Sequence, residues 1–182
     1  PYSLWTVGIP QKDYANRVLE NADLLICVGY DIVEYAPQRI NPTRKTPILH
    51  INTMPAHINK YYQTTCEVVG DISDSLHRIT LRTHRTQEPT AALAIREQLV
   101  AEHESYAADA SFPMKPQRVL SDVRKVMRPG DILLSDVGAH KMWIARHYNC
   151  YKPKTCLISN GFATMGFSLP GALAAKLVSP DK

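Results

Sequence analysis

The chain has 182 residues, 45% of them hydrophobic and 21% charged, a balance that excludes a disordered tail, a collagen-like repeat and a disulfide-stapled miniprotein. Lys and Arg (21) exceed Asp and Glu (17) for a net charge of +4, but they alternate with acids and never run to five or six, so nucleic acid is not implied. No apolar stretch approaches the roughly 18–20 residues of a membrane span and no signal peptide opens the chain, which makes the cytoplasm the default compartment. Pro1-Tyr2-Ser3 at one end and Ser179-Pro180-Asp181-Lys182 at the other read as a piece cut from something longer.

In chain order, a helix is expected around residues 13–21. It precedes a continuous apolar run closed by glycine, Ala22 to Asp31, which fits a parallel strand buried on both faces. Pro47 to Ile51 reads as a second strand after a polar turn, and Glu67 to Val69 as a third, running into Gly70-Asp71. The basic stretch Arg78 to Arg85 has no interleaved aromatics and reads as a solvated linker. From Arg85 to Met114 the texture turns to Ala, Glu and Gln, with Ala92, Ile95, Leu99 and Tyr106 at helical spacing; this is a connecting helix that ends near Phe112-Pro113.

A second block begins with Pro116 near the start of a helix whose stripe Val119, Leu120, Val123, Val126 and Met127 faces a core; Pro129-Gly130 stops it. Asp131 to Ser135 is a strand ending in Asp136-Val137-Gly138-Ala139-His140, which opens a helix carrying Trp143, Ile144 and His147. Thr155 to Ser159 repeats the pattern, leading through Gly161 and Gly166 to a small-residue helix from Ala172 to Leu177. The reading is an α/β fold of two partial parallel-sheet domains joined by a helical linker, with boundaries at 1–84, 85–114 and 115–182.

Strand ends that run through glycine turns into helix N-termini hold phosphorylated ligands; equally, Gly138, Gly161 and Gly166 serve tight turns alone. No Gly-x-Gly-x-x-Gly and no Walker loop is present. Cys27, Cys66, Cys150 and Cys156 lack Cys-x-x-Cys spacing, which supports neither zinc nor redox chemistry, and His50 with His57 lacks further matching ligands for a metal.

The segments Ser135-Asp136-Val137-Gly138-Ala139-His140-Lys141-Met142-Trp143 and Ile158-Ser159-Asn160-Gly161-Phe162-Ala163-Thr164-Met165-Gly166-Phe167-Ser168-Leu169-Pro170 closely resemble the start of the cofactor domain in thiamine-diphosphate enzymes of the acetolactate synthase group. Ala22 to Asp31, Val33 to Pro37, His50-Ile51-Asn52 and Val68 to Asp71 resemble the second half of that family's central, Rossmann-like domain.

The resemblance implies condensation of two pyruvate to 2-acetolactate and carbon dioxide through a thiamine-diphosphate enamine, in a homodimer or homotetramer with the site at a subunit interface. It assigns Val137, Gly138, Ala139 and His140 to the diphosphate end. The Ala163 carbonyl, where many relatives carry glycine, and the Met165 N–H fall to the aminopyrimidine, with Thr164 between them. The Met165 side chain supports the bend of the cofactor. The other readings are an ordinary helix-start residue for His140 and plain core for Met165.

By the same resemblance the activating glutamate is expected before Pro1 and the magnesium motif after Lys182, so these residues alone are expected to be inactive and poorly soluble. Tyr30-Asp31-Ile32-Val33-Glu34-Tyr35 resembles the catabolic, flavin-independent branch, which leaves FAD out; Asp31 and Glu34 also read as solvated loop. A sister decarboxylase or carboligase shares the cofactor turns, and a non-catalytic nucleotide-binding or oligomerisation module is the reading from another class.

Overall fold

A computed structural model of the chain describes residues 2–6, 14–33, 35–84 and 90–182. They fall into two compact units, one drawn from residues 7–95 with Tyr2, the other from 96–182 with Ser3–Thr6.

In the first unit a 3-10 turn, Tyr14–Asn16, and a short helix α1 (Arg17–Glu20) lead to β1 (Leu25–Val28). There follow α2 (Pro37–Ile40), β2 (Ile48–Asn52), β3 (Cys66–Val69) and α3 (Ile72–Thr80). The strands pair in parallel in the order β1-β2-β3, with Leu25 opposite Ile48 and Leu49 opposite Cys66. Leu25, Ile48 and Tyr62 form the core, against which Leu19, Ile32 and Ile40 pack.

The expectation that the first strand is buried on both faces needs correcting. Leu25 is buried, but Ile26 is 55% and Val28 42% exposed. Among the described residues β1 is the edge strand, whereas central β2 buries Ile48, His50 and Ile51 from both sides. The linker reading of Arg78 to Arg85 is also corrected at its start, because α3 carries Arg78 in an ion pair with Asp74 at 2.8 Å. Asp71 caps that helix, its carboxylate accepting from the Asp74 N–H at 2.8 Å, a signal that sequence reading passed over. Arg85 and the start of the expected linker helix lie outside the described residues, as does Glu34.

The second unit takes in α4 (Thr90–Ala107) from Arg96 on, then α5 (Pro116–Val126), β4 (Leu133–Ser135), α6 (Ala139–His147), β5 (Cys156–Ile158) and α7 (Ser168–Val178). Leu99 is fully buried, as its place on the α4 stripe predicts. On α5 the predicted stripe is too wide: Val126 is 82% and Val119 44% exposed. The buried anchor of that helix is Arg124, which donates to the Tyr148 hydroxyl at 2.7 Å and to the carbonyls of Met127 at 2.5 Å and Arg128 at 2.7 Å. Its fork of N–H donors satisfies the carbonyls left open where the helix ends, at Val126, ahead of Pro129-Gly130. β4 and β5 pair in parallel, Leu133 opposite Cys156 and Ser135 opposite Ile158. Among the described residues no helix is long and apolar enough to cross a membrane.

Candidate cofactor site

The parallel pairing of β4 and β5 sets their carboxyl ends, Ser135 and Ile158, side by side, and the chain leaves each through a glycine turn. In the first turn Gly138 has φ +155°, and a Cβ there would lie 2.8 Å from Cε1 and Nδ1 of His140. Glycine thus lets the imidazole fold back until Nε2 lies 3.0 Å from the Asp136 carbonyl, a bond that places the proton on Nε2. In the second turn Gly161 (φ +67°) and Gly166 (φ +88°) take backbone conformations that other residues rarely adopt, and the Ala163 N–H donates back to the Gly161 carbonyl at 2.8 Å.

Asp136 stitches the turns together. Its Oδ2 accepts from the Gly166 N–H at 3.0 Å and its Oδ1 from the Ser168 N–H at 2.5 Å. The Ser168 N–H first, and the Gly166 N–H after it, hold the Asp136 carboxyl below the usual carboxylate range. Lys141 adds a second tie, donating to Asn160 Oδ1 at 3.1 Å and to the Ser159 carbonyl at 3.4 Å. Sequence reading assigned neither Asp136 nor Lys141 a role. The available signal was an acid directly after a buried strand, two residues ahead of a glycine.

What this leaves open is chemically specific. The N–H groups of Gly138, Ala139 and His140 at the α6 N-terminus, the Ala163 carbonyl and the Met165 N–H have no hydrogen-bond partner among the described residues. Met165 is 82% exposed, and nothing among the described residues packs over it.

Comparison with known families decides what the turns belong to. Residues 1–79 match the model described as "Thiamine pyrophosphate enzyme, central domain", and residues 136–182 match "Thiamine pyrophosphate enzyme, C-terminal TPP binding domain". The chain belongs to the thiamine pyrophosphate enzyme family. Its relatives in that family include the "Acetolactate synthase" of Bacillus subtilis (strain 168), 30% identical over 180 residues that make up 97% of this chain and 32% of the relative. The "Acetolactate synthase, catabolic" of Raoultella terrigena is 33% identical, with 97% of this chain and 32% of the relative covered. The mitochondrial "Acetolactate synthase catalytic subunit" of Saccharomyces cerevisiae (strain ATCC 204508 / S288c) is 31% identical, with coverage of 100% and 28%. The chain therefore spans about a third of the length of the curated relatives it matches.

The residues present fit the family's cofactor. Unpaired N–H groups at the N-terminus of a helix attract an anionic diphosphate. An open carbonyl and an open N–H two residues apart offer an acceptor and a donor to the edge of an aminopyrimidine. Among the described residues no group of three or more His, Cys, Asp or Glu is placed to hold a metal ion. His50 is buried with Nδ1 2.9 Å from the Tyr62 hydroxyl, and His57 faces Asp31 at 4.0 Å. The cleft at the carboxyl ends of β1 and β2, lined by Gly29, Asp31, His50 and Asn52, holds about 240 Å³, below the roughly 300 Å³ at which small-molecule sites begin.

Proposed function

We propose that the chain is part of an acetolactate synthase that condenses two pyruvate to 2-acetolactate and carbon dioxide, with thiamine diphosphate and magnesium and without flavin. The observation that carries this reading is the pair of turns joined by Asp136, with unpaired backbone donors on one and an unpaired acceptor and donor on the other. The names of the relatives supply the reaction, and the Tyr30 to Tyr35 stretch, with the catabolic relative, supports the flavin-free branch.

In this reading Val137, Gly138, Ala139 and His140 hold the diphosphate end, the backbone N–H groups bonding its oxygens while the Asp136 carbonyl fixes the imidazole. The Ala163 carbonyl accepts from the aminopyrimidine amino group, and the Met165 N–H donates to a ring nitrogen. Thr164 sets their separation. The exposed Met165 side chain gives apolar support beneath the bend of the cofactor and keeps water from it. When bound, the cofactor supplies an electron sink for decarboxylating one 2-keto acid and joining it to a second carbonyl. The site is proposed to lie at the interface of a homo-oligomer.

An assay of the full-length protein with pyruvate, thiamine diphosphate and magnesium, with and without FAD, tests the reading. Acetolactate formed without flavin is expected. Pyruvate consumed to another product would overturn the substrate assignment, and activity only with FAD the flavin-free branch.

A further inference from the structure

The second glycine turn is held at both ends from the first. Asp136 holds its far end, through the Gly166 and Ser168 N–H groups, and Lys141 holds its start. The Lys141 ammonium donates to Asn160 Oδ1 at 3.1 Å and to the Ser159 carbonyl at 3.4 Å, and these are the two residues directly ahead of Gly161. An ammonium only donates, so this bond fixes the Asn160 amide with its oxygen toward the lysine.

Helix stability does not account for a lysine at this position. Lys141 is the third residue of α6 (Ala139–His147), in the first turn, where the positive end of the helix dipole disfavours a cation. It is half-buried, and among the described residues no carboxylate pairs with it. Its ammonium instead reaches across 18 and 19 residues of sequence to acceptors on the opposite turn. Between the two anchors the chain is mostly exposed, and the Ala163 N–H to the Gly161 carbonyl at 2.8 Å is the one backbone bond within it among the described residues. A segment with so little bonding of its own takes its conformation from its ends. The open Ala163 carbonyl and Met165 N–H lie in that segment.

We propose that Lys141 is a positioning residue. By anchoring the start of the second turn through Asn160 and Ser159, it pre-sets the acceptor and donor that meet the aminopyrimidine, a role that rests on the thiamine diphosphate reading of the site. Ordering the segment before the ligand arrives removes that entropic cost from binding. A lysine serving only as a charge for the diphosphate would act on the other end of the cofactor and would not need Asn160.

Calorimetric titration of the full-length protein with thiamine diphosphate and, separately, with inorganic pyrophosphate, both with magnesium, tests this. Lys141→Met and Asn160→Ala are each expected to lose about tenfold in thiamine diphosphate affinity, the size set by a lost hydrogen bond to a charged group, and to keep their affinity for pyrophosphate. The double variant should match Lys141→Met, and Lys141→Arg should restore most of the binding. Equal losses for the two ligands would overturn the proposal, as would unchanged thiamine diphosphate binding in either variant. Hydrogen exchange at Ala163 in the cofactor-free protein should quicken in both variants. Wild-type binding with unchanged exchange in the variants would overturn the positioning role alone, whereas a wild type that binds no thiamine diphosphate would overturn the reading of the site and this role with it.

Discussion

The Asp136 carboxylate and the Ser168 N–H meet at 2.5 Å across 32 residues of sequence, and this bond fixes the second glycine turn against the first. Replacing Asp136 with Asn turns one of its two acceptor oxygens into a donor facing a backbone N–H. D136N in the full-length protein is expected to weaken thiamine diphosphate binding by about 10–100-fold, the usual effect of removing a group that orients a site. Titration of wild type and variant under the same conditions checks it.

The same bond sets a pH dependence. A carboxyl whose folded pKa lies below its unfolded value contributes stability that is present above the unfolded value, near 3.8, and lost as pH falls through the folded one. The turn should therefore hold throughout the neutral range and loosen only in strong acid. D136N should remove that acid-side transition, as followed by hydrogen exchange at Gly166 and Ser168.

Gly138 and His140 should behave as one unit. A Cβ at position 138 meets the imidazole, and the φ of +155° is one that residues with a side chain rarely adopt, so Gly138→Ala should strain the turn as well as displace the ring from the Asp136 carbonyl. G138A and His140→Ala are each expected to raise the KM for thiamine diphosphate, G138A the more, and the double variant should be little worse than G138A alone. Full additivity in that cycle would contradict the coupling.

α7 packs on β4 through Gly171, where a Cβ would come 2.6 Å from Leu134 Cδ2. Gly171→Val should destabilise the full-length protein by about 1–3 kcal/mol through overpacking, and Gly171→Ala by less, because the leucine methyl can yield. Denaturant unfolding measures both.

Burial, with neighbouring His103 adding to it, pushes His147 down to about 4, and the two rings lie 5.0 Å apart between centroids. A histidine with a folded pKa below its unfolded 6.5 binds its proton more readily when unfolded. Its contribution is complete above 6.5 and declines as pH falls toward 4. The melting temperature should drop over that window, and His147→Gln should flatten the drop.

Much of this architecture was legible in the sequence. Five apolar runs became five parallel strands, because short β-rich segments separated by helical ones leave few other arrangements. The misreadings share a cause. Periodicity finds which residues are apolar but not which strand is central, and among the described residues Ile26 and Val28 lie on the edge strand of their sheet. α3 was missed because its cue was polar, the Asp71 cap, and Arg124 because a buried guanidinium serving carbonyls looks like any surface arginine. The turn residues Gly138 and His140 stood out by motif. The tie that organises them, Asp136 to Gly166 and Ser168, joins distant positions and has no local signature.

The central claim is that these two turns hold thiamine diphosphate, and calorimetric titration of the full-length protein in the presence of magnesium tests it most directly. The account predicts saturable binding that is weaker for thiamine monophosphate, whose shorter anion offers less to the α6 N-terminus, and weaker again in D136N. Absence of saturable binding, or equal affinity for both ligands in wild type and D136N, would contradict it.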